Sequence, residues 1–209
     1  HHELGHIYYF MAYSNPKVPA TLREGANRAF HEGVGDLISL AAGQEPYLRQ
    51  HKILPPEMKW DADRMLLNEA LIRVAFVPWA AGTMSRFEYE LYEKNLPSDQ
   101  WQKRWWEIVE KYQNVAVPSK DRLTDKTLCD ACTKTHINDD PAQYYDYAIA
   151  NVIKYQLHEH IAKKILKQDV HACNYYGNEE VGAFLEGILA KGQTEDWRKV
   201  IKDATGVCS

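Results

Sequence analysis

Positive charge, long apolar runs and cysteine are all scarce in this sequence. Its 25 Lys and Arg are outnumbered by 29 Asp and Glu, giving a net charge of −4, and no basic block stands out. Without a positive face a protein has little electrostatic hold on a polyanion, so no nucleic-acid partner is expected. The longest nearly apolar stretch, around residues 74–82, contains Pro78. It is far shorter than the run of about 20 residues that a bilayer requires, so no membrane span is expected. Glycine (11) and proline (9) are too sparse for a collagen-like or disordered chain. Four cysteines, Cys129, Cys132, Cys173 and Cys208, are too few to build a disulfide mini-protein. Aromatic side chains, by contrast, are plentiful. Thirteen Tyr and six Trp in 209 residues can fill a large core and leave some to line a cleft.

The hydrophobic period is helical almost throughout, which predicts an all-α fold. Residues 1–13 carry Leu4, Ile7 and Met11 on one face, and Asn15-Pro16 ends that helix. Further helices are expected over about 30–40, 61–76, 78–95 and from a cap at Ser98 or Asp99 through Trp101, Trp105, Ile108 and Val109. Residues 115–140 read as one long irregular loop with an extended piece at 134–137, and such loops are often functional. A helix over about 141–167 follows, then two more, with Gly192 and Gly206 as closing glycines. No repeat, low-complexity segment or internal boundary is visible. The helical pattern is already running at residue 1, so 1–209 reads as the C-terminal part of a single larger domain.

The chemistry begins with His2-Glu3-Leu4-Gly5-His6, an H-E-x-x-H motif. Two histidines four apart on a helix lie one turn apart on one face and can share a zinc ion, while the intervening glutamate works on a water. A catalytic zinc needs a third protein ligand and an open fourth position. Two carboxylates compete for that role. Glu24 lies in Arg23-Glu24-Gly25-Ala26-Asn27, near a spacing used by some other zinc aminopeptidases. Glu32 lies in Phe30-His31-Glu32-Gly33-Val34-Gly35-Asp36, with Asp36 one turn on. Asp36 can accept a hydrogen bond from the far nitrogen of His2 and fix its tautomer, and this context favours Glu32.

These elements resemble the angiotensin-converting-enzyme-like peptidyl-dipeptidases. The resemblance continues through Ala75-Phe76-Val77-Pro78, Trp105-Trp106, Lys111-Tyr112-Gln113, residues 134–137 and residues 147–159, thinning after about Gly177. It implies one zinc ion held by His2, His6 and Glu32, with Glu3 as general base. It also implies oxyanion donors at His136 and Tyr147, although the spacing between them is one residue longer than the family pattern. Lys134 and Tyr144 resemble the pair that holds the substrate's terminal carboxylate, and Phe76 and Trp79 can line the same side. The activity implied is release of a C-terminal dipeptide from an oligopeptide, outside the cytoplasm, in company with an N-terminal part or a complementing chain.

Two rivals remain open. One is a non-enzymatic remnant or binding subunit of such a peptidase; the other is an aminopeptidase-like enzyme that uses Glu24. The resemblance also marks departures. Val109 and Asp146 stand where chloride-binding arginines occur in several family members, so chloride activation is not expected. Cys173 matches half of a family disulfide, but Ala162 stands at the other half. A Cys173–Cys208 bridge is conceivable in an oxidising compartment. Cys129-x-x-Cys132 reads as a local disulfide or two thiols in preference to a second metal site. His158, Glu159 and His160 resemble a second ligand cluster but sit on a long helix with ordinary polar neighbours and are read as structural.

Overall fold

A computed structural model describes residues 1–207. Among them there is no strand. Ten α-helices follow one another: α1 (His2–Tyr13), α2 (Arg28–Ala42), α3 (Glu45–Gln50), α4 (Ala62–Val77), α5 (Ser85–Tyr92), α6 (Trp101–Gln113), α7 (Thr135–Asp139), α8 (Asp146–His160), α9 (Glu179–Leu189) and α10 (Trp197–Thr205). The all-α expectation holds. The chain divides into two compact units, the first comprising residues 1–70 and 149–207, the second residues 71–148. The divisions fall inside α4 and α8.

In the first unit, α1 packs against α2 at very short range. A Cβ on Gly5 would lie 2.7 Å from the Gly35 Cα, and one on Gly35 would lie 3.0 Å from the His2 ring. Glycine at both positions is therefore what lets the two backbones meet. Asn27 caps α2 by accepting a hydrogen bond from the Phe30 N–H at 2.7 Å. Tyr9, Phe30, Leu37, Ile153, Leu157, Ile161 and Ile201 form the centre of this unit's core. A deeply buried ammonium, Lys154, is 2.7 Å from the Glu69 carboxylate, which also accepts from the Tyr155 hydroxyl. Pairing removes the large penalty that an isolated buried charge would carry.

The second unit is built around aromatic side chains. Met84, Phe87, Trp105, Ile108 and Val109 are its buried centre, with Phe76, Trp79, Trp106 and Tyr147 packed against it. Glu90 of α5 joins this unit together through Arg104 of α6, at 2.5 Å, and Arg86, at 2.8 Å.

Several expectations need correction. Pro78 does not separate two helices: residues Pro78–Met84 form a π-helical turn, and the helix runs from α4 through it into α5. The helix thus passes through the proline without breaking, by way of a widened turn that begins there. By length and composition alone, Ala62–Tyr92 is thus long and apolar enough to cross a membrane, contrary to the expectation drawn from the short run 74–82. Of the stretch 134–137 only Lys134 is extended, because Thr135–Asp139 is helical. Residue 141 does not begin a helix, since α8 starts at Asp146. Neither Ser98 nor Asp99 caps α6; a 3-10 turn, Ser98–Gln100, leads into it. The six-residue α3 is an element the periodicity did not reveal.

Candidate metal centre

The H-E-x-x-H helix brings two imidazoles together. The Nε2 atoms of His2 and His6 are 3.0 Å apart. Glu32, on α2, adds a carboxylate oxygen 3.4 Å from His2 Nε2 and 3.8 Å from His6 Nε2. All three donor atoms lie within 4.8 Å of one another, the one such His/Cys/Asp/Glu group among the described residues. For a tetrahedral ion with bonds of about 2.0–2.1 Å, donor atoms stand about 3.3 Å apart. Two nitrogens and one carboxylate oxygen at these separations fit a zinc-type ion with a position left open.

Each donor is held from behind. His2 Nδ1 is 3.0 Å from Asp36 Oδ1, so Nδ1 donates to the carboxylate and Nε2 faces the cluster. Asp36 and Glu32 are both buried. Arg28 reaches the second Glu32 oxygen at 3.5 Å. His6 Nδ1 meets His31 Nδ1 at 2.8 Å, and His31 Nε2 is 3.3 Å from the Tyr13 hydroxyl. Burial, with His6 and then Arg28 nearby, lowers His31 to a pKa of about 4. His31 is therefore neutral near pH 7 and its Nδ1 accepts from His6. His31 is a functional neighbour that the sequence pattern does not single out. The only signal was its place beside Glu32, since nothing in the pattern tells which α2 side chain faces the second turn of α1.

Glu3 is exposed and, with His6, Ile7, Phe10, Arg28, His31 and Glu32, lines a cavity of about 370 Å³. Glu24 is not part of the cluster. It is exposed, and it accepts from the Gln193 side chain at 3.1 Å. The segment around it serves the fold: a Cβ on Gly25 would lie 2.8 Å from the His31 ring, and the Ala26 N–H donates to the Tyr9 hydroxyl at 2.8 Å.

The second unit gathers the other four residues singled out. His136 Nε2 lies 3.2 Å from the Tyr147 hydroxyl. The Tyr144 ring stands edge-on to His136, with centroids 4.8 Å apart, and Lys134 Nζ sits 4.9 Å from the centre of that ring. Phe76 and Trp79 are 6.1 and 6.2 Å from Tyr144. His136, Lys134 and Tyr147 are half-buried, while Tyr144 is buried. Val109 is a core residue and Asp146 a buried carboxylate at the start of α8.

Cys129 and Cys132 form a disulfide. That removes them from any second metal site, in line with the local bridge expected. Cys173 and Ala162 are both fully buried. The proposed partner Cys208 lies outside the described residues. His158 is buried between the Tyr175 hydroxyl and the Val170 carbonyl, each at 2.7 Å, as a structural histidine would be.

Two helix-borne histidines and a second-helix glutamate around one point are the donor set that a helical metallopeptidase needs. The family model for angiotensin-converting enzyme, the M2 peptidases, matches residues 1–209, and the chain belongs to that family. Similar proteins include the angiotensin-converting enzyme of Theromyzon tessulatum, 31% identical over 99% of this chain and 33% of its own length. Those of Bos taurus and Sus scrofa are each 31% identical over 99% of this chain, and 16% and 15% of their own lengths. The chain thus spans a third or less of these relatives.

Proposed function

We propose that the protein is a zinc-dependent peptidyl-dipeptidase that removes a dipeptide from the C-terminus of oligopeptides. The observation that carries this reading is the convergence of His2, His6 and Glu32, each steadied by a further side chain, within a family of peptidases. These three residues would hold the ion. When bound, zinc supplies Lewis acidity toward water and the scissile carbonyl. Glu3 takes the proton of the attacking water and returns it to the departing amine. Tyr147 and His136 donate hydrogen bonds to the oxyanion that develops on the carbonyl oxygen. Lys134 and Tyr144 hold the substrate's terminal carboxylate, which sets the cut two residues from the end.

The first helix exposes Leu4, Ile7, Tyr8, Phe10 and Met11, and α4 exposes Leu67, Leu71, Ile72 and Val74. We read these faces as covered by further protein, an N-terminal part or a complementing chain, and not by lipid, because α4 also carries Glu69 to the buried Lys154. The Cys129–Cys132 bridge supports an extracytoplasmic location.

The test is zinc content after dialysis against metal-free buffer, together with hydrolysis of a short peptide carrying a free or amidated C-terminus. About one zinc per chain, with the free acid cleaved and the amide spared, is the expected result. A folded, metal-free protein would support the remnant reading. Retention of zinc by Glu32→Ala and its loss by Glu24→Ala would support the aminopeptidase-like alternative.

A further inference from the structure

We propose that the Cys129–Cys132 disulfide is a thiol-exchange site that controls the segment bearing Lys134 and His136. The inference rests in part on the roles read above, Lys134 on the substrate's terminal carboxylate and His136 on the oxyanion.

The two halves of the disulfide ring are held differently. Asp130, inside the ring, is fixed to the neighbouring helix. Its carboxylate accepts from Gln102 Nε2 and Trp106 Nε1, both at 2.7 Å, and from Arg122. Its own N–H donates to Gln102 Oε1 at 2.8 Å. Cys129 packs, half-buried, against the aromatic core of the unit. The Cys129 side of the turn therefore keeps its place with or without the bridge. Cys132 is exposed, and so is Thr133 after it. Beyond Cys132 the backbone is held by short-range bonds, Lys134 N–H to the Ala131 carbonyl at 3.1 Å and Asn138 Nδ2 to the Cys132 carbonyl at 2.8 Å. Besides the peptide backbone, the two halves are joined by the disulfide and by the Thr133 N–H and hydroxyl, which donate to the Asp130 carbonyl at 3.2 and 2.7 Å. Two residues past it, Lys134 lies over the Tyr144 ring; four past it, His136 meets the Tyr147 hydroxyl.

Exposure also sets where exchange begins, because access to sulfur governs thiol–disulfide exchange. A thiolate of a dithiol reductant attacks Cys132 Sγ. The Cys129–Cys132 bond breaks, and Cys129 leaves as a thiolate and takes a proton. The reductant's second thiol then displaces Cys132 from the mixed disulfide. Two electrons and two protons pass from the dithiol to the protein, and the reductant departs as its cyclic disulfide. Reoxidation by a disulfide reverses each step. In the reduced state the segment keeps its backbone and the Thr133 bonds to Asp130 but loses the disulfide's added restraint on Lys134 and His136, and the grip on a terminal carboxylate loosens.

Three measurements on the full chain test this. Dithiothreitol treatment of the folded protein, followed by thiol labelling and peptide mapping, should reveal Cys129 and Cys132 together. Hydrogen exchange should then rise over residues 131–138 and stay unchanged over α6. Affinity for a dipeptide acid should fall by about tenfold, the size of one lost charge-assisted hydrogen bond, and recover on reoxidation. The Cys129→Ala/Cys132→Ala variant should behave as the reduced protein and ignore dithiothreitol. A bridge that stays closed until the protein unfolds, or exchange over 131–138 that does not change on reduction, overturns the proposal. Equal dipeptide affinity in both redox states also overturns it. If no dipeptide binds in either state, the peptidase reading fails, and hydrogen exchange alone then decides for or against the switch.

Discussion

Glu32 and Glu24 show how much rests on one side chain. Glu32 is buried beside both histidines, whereas Glu24 is exposed and bonded to Gln193. Glu32→Ala should therefore abolish stoichiometric zinc binding while Glu24→Ala retains it, as read by elemental analysis. Asp36→Asn keeps the size of the side chain but weakens its hold on His2 Nδ1. Zinc affinity should fall about 10–100-fold in a competition titration against a chelator. At the two positions where the resemblance would place arginines for chloride, an apolar Val109 and an acidic Asp146 are both buried. Exchanging chloride for a larger inert anion should leave kcat/KM unchanged, and a several-fold rise with chloride would refute this.

Among the helices, the pairing of α1 with α2 decides whether a centre forms. Gly35→Ala would push a methyl against the His2 ring, and Gly5→Ala would push one against the α2 backbone. Each should cost about 1–3 kcal/mol in urea unfolding, with weaker zinc binding as well, because the helices cannot close. A second device joins α5 to α6. Arg104, helped by Arg86 and opposed by burial, lowers Glu90 to a pKa of about 2. A carboxylate depressed in the folded state contributes stability that is present above its ordinary value of 4.5 and lost as pH falls toward about 2. Wild-type stability should thus decline across that window. Glu90→Gln should flatten the decline, as measured by thermal unfolding at a series of pH values.

For the molecule as a whole, a metal bound only by the folded state adds to stability by mass action. Zinc at about a hundred times its dissociation constant should add about 2.7 kcal/mol and raise Tm, and chelation should remove the gain. His6→Ala should show no response to either. The same linkage separates the enzyme reading from that of a remnant, since a protein that folds without a metal centre has nothing for zinc to stabilise.

The helical class, the paired histidines and the two candidate carboxylates were all legible in the sequence, because they depend on residue type and on spacing within one helix. His2 and His6 face one way by the pitch of α1 alone, and Glu32 and Asp36 share a face for the same reason. The chain's own pattern did not choose between Glu24 and Glu32 by distance. That choice follows from the close approach of α1 and α2, which Gly5 and Gly35 allow, and no local period encodes such an approach. His31 emerged as the support for His6 only once those helices met. Pro78 reads locally as a stop, yet the aromatic packing around Met84 and Phe87 accompanies a widened turn that carries the helix through it. Residues 134–137 read locally as extended; between the anchored Asp130 and Tyr144 all but Lys134 are wound into α7. Contacts within a helical turn are written in the sequence, while contacts between segments distant in the chain exist only after the core has formed.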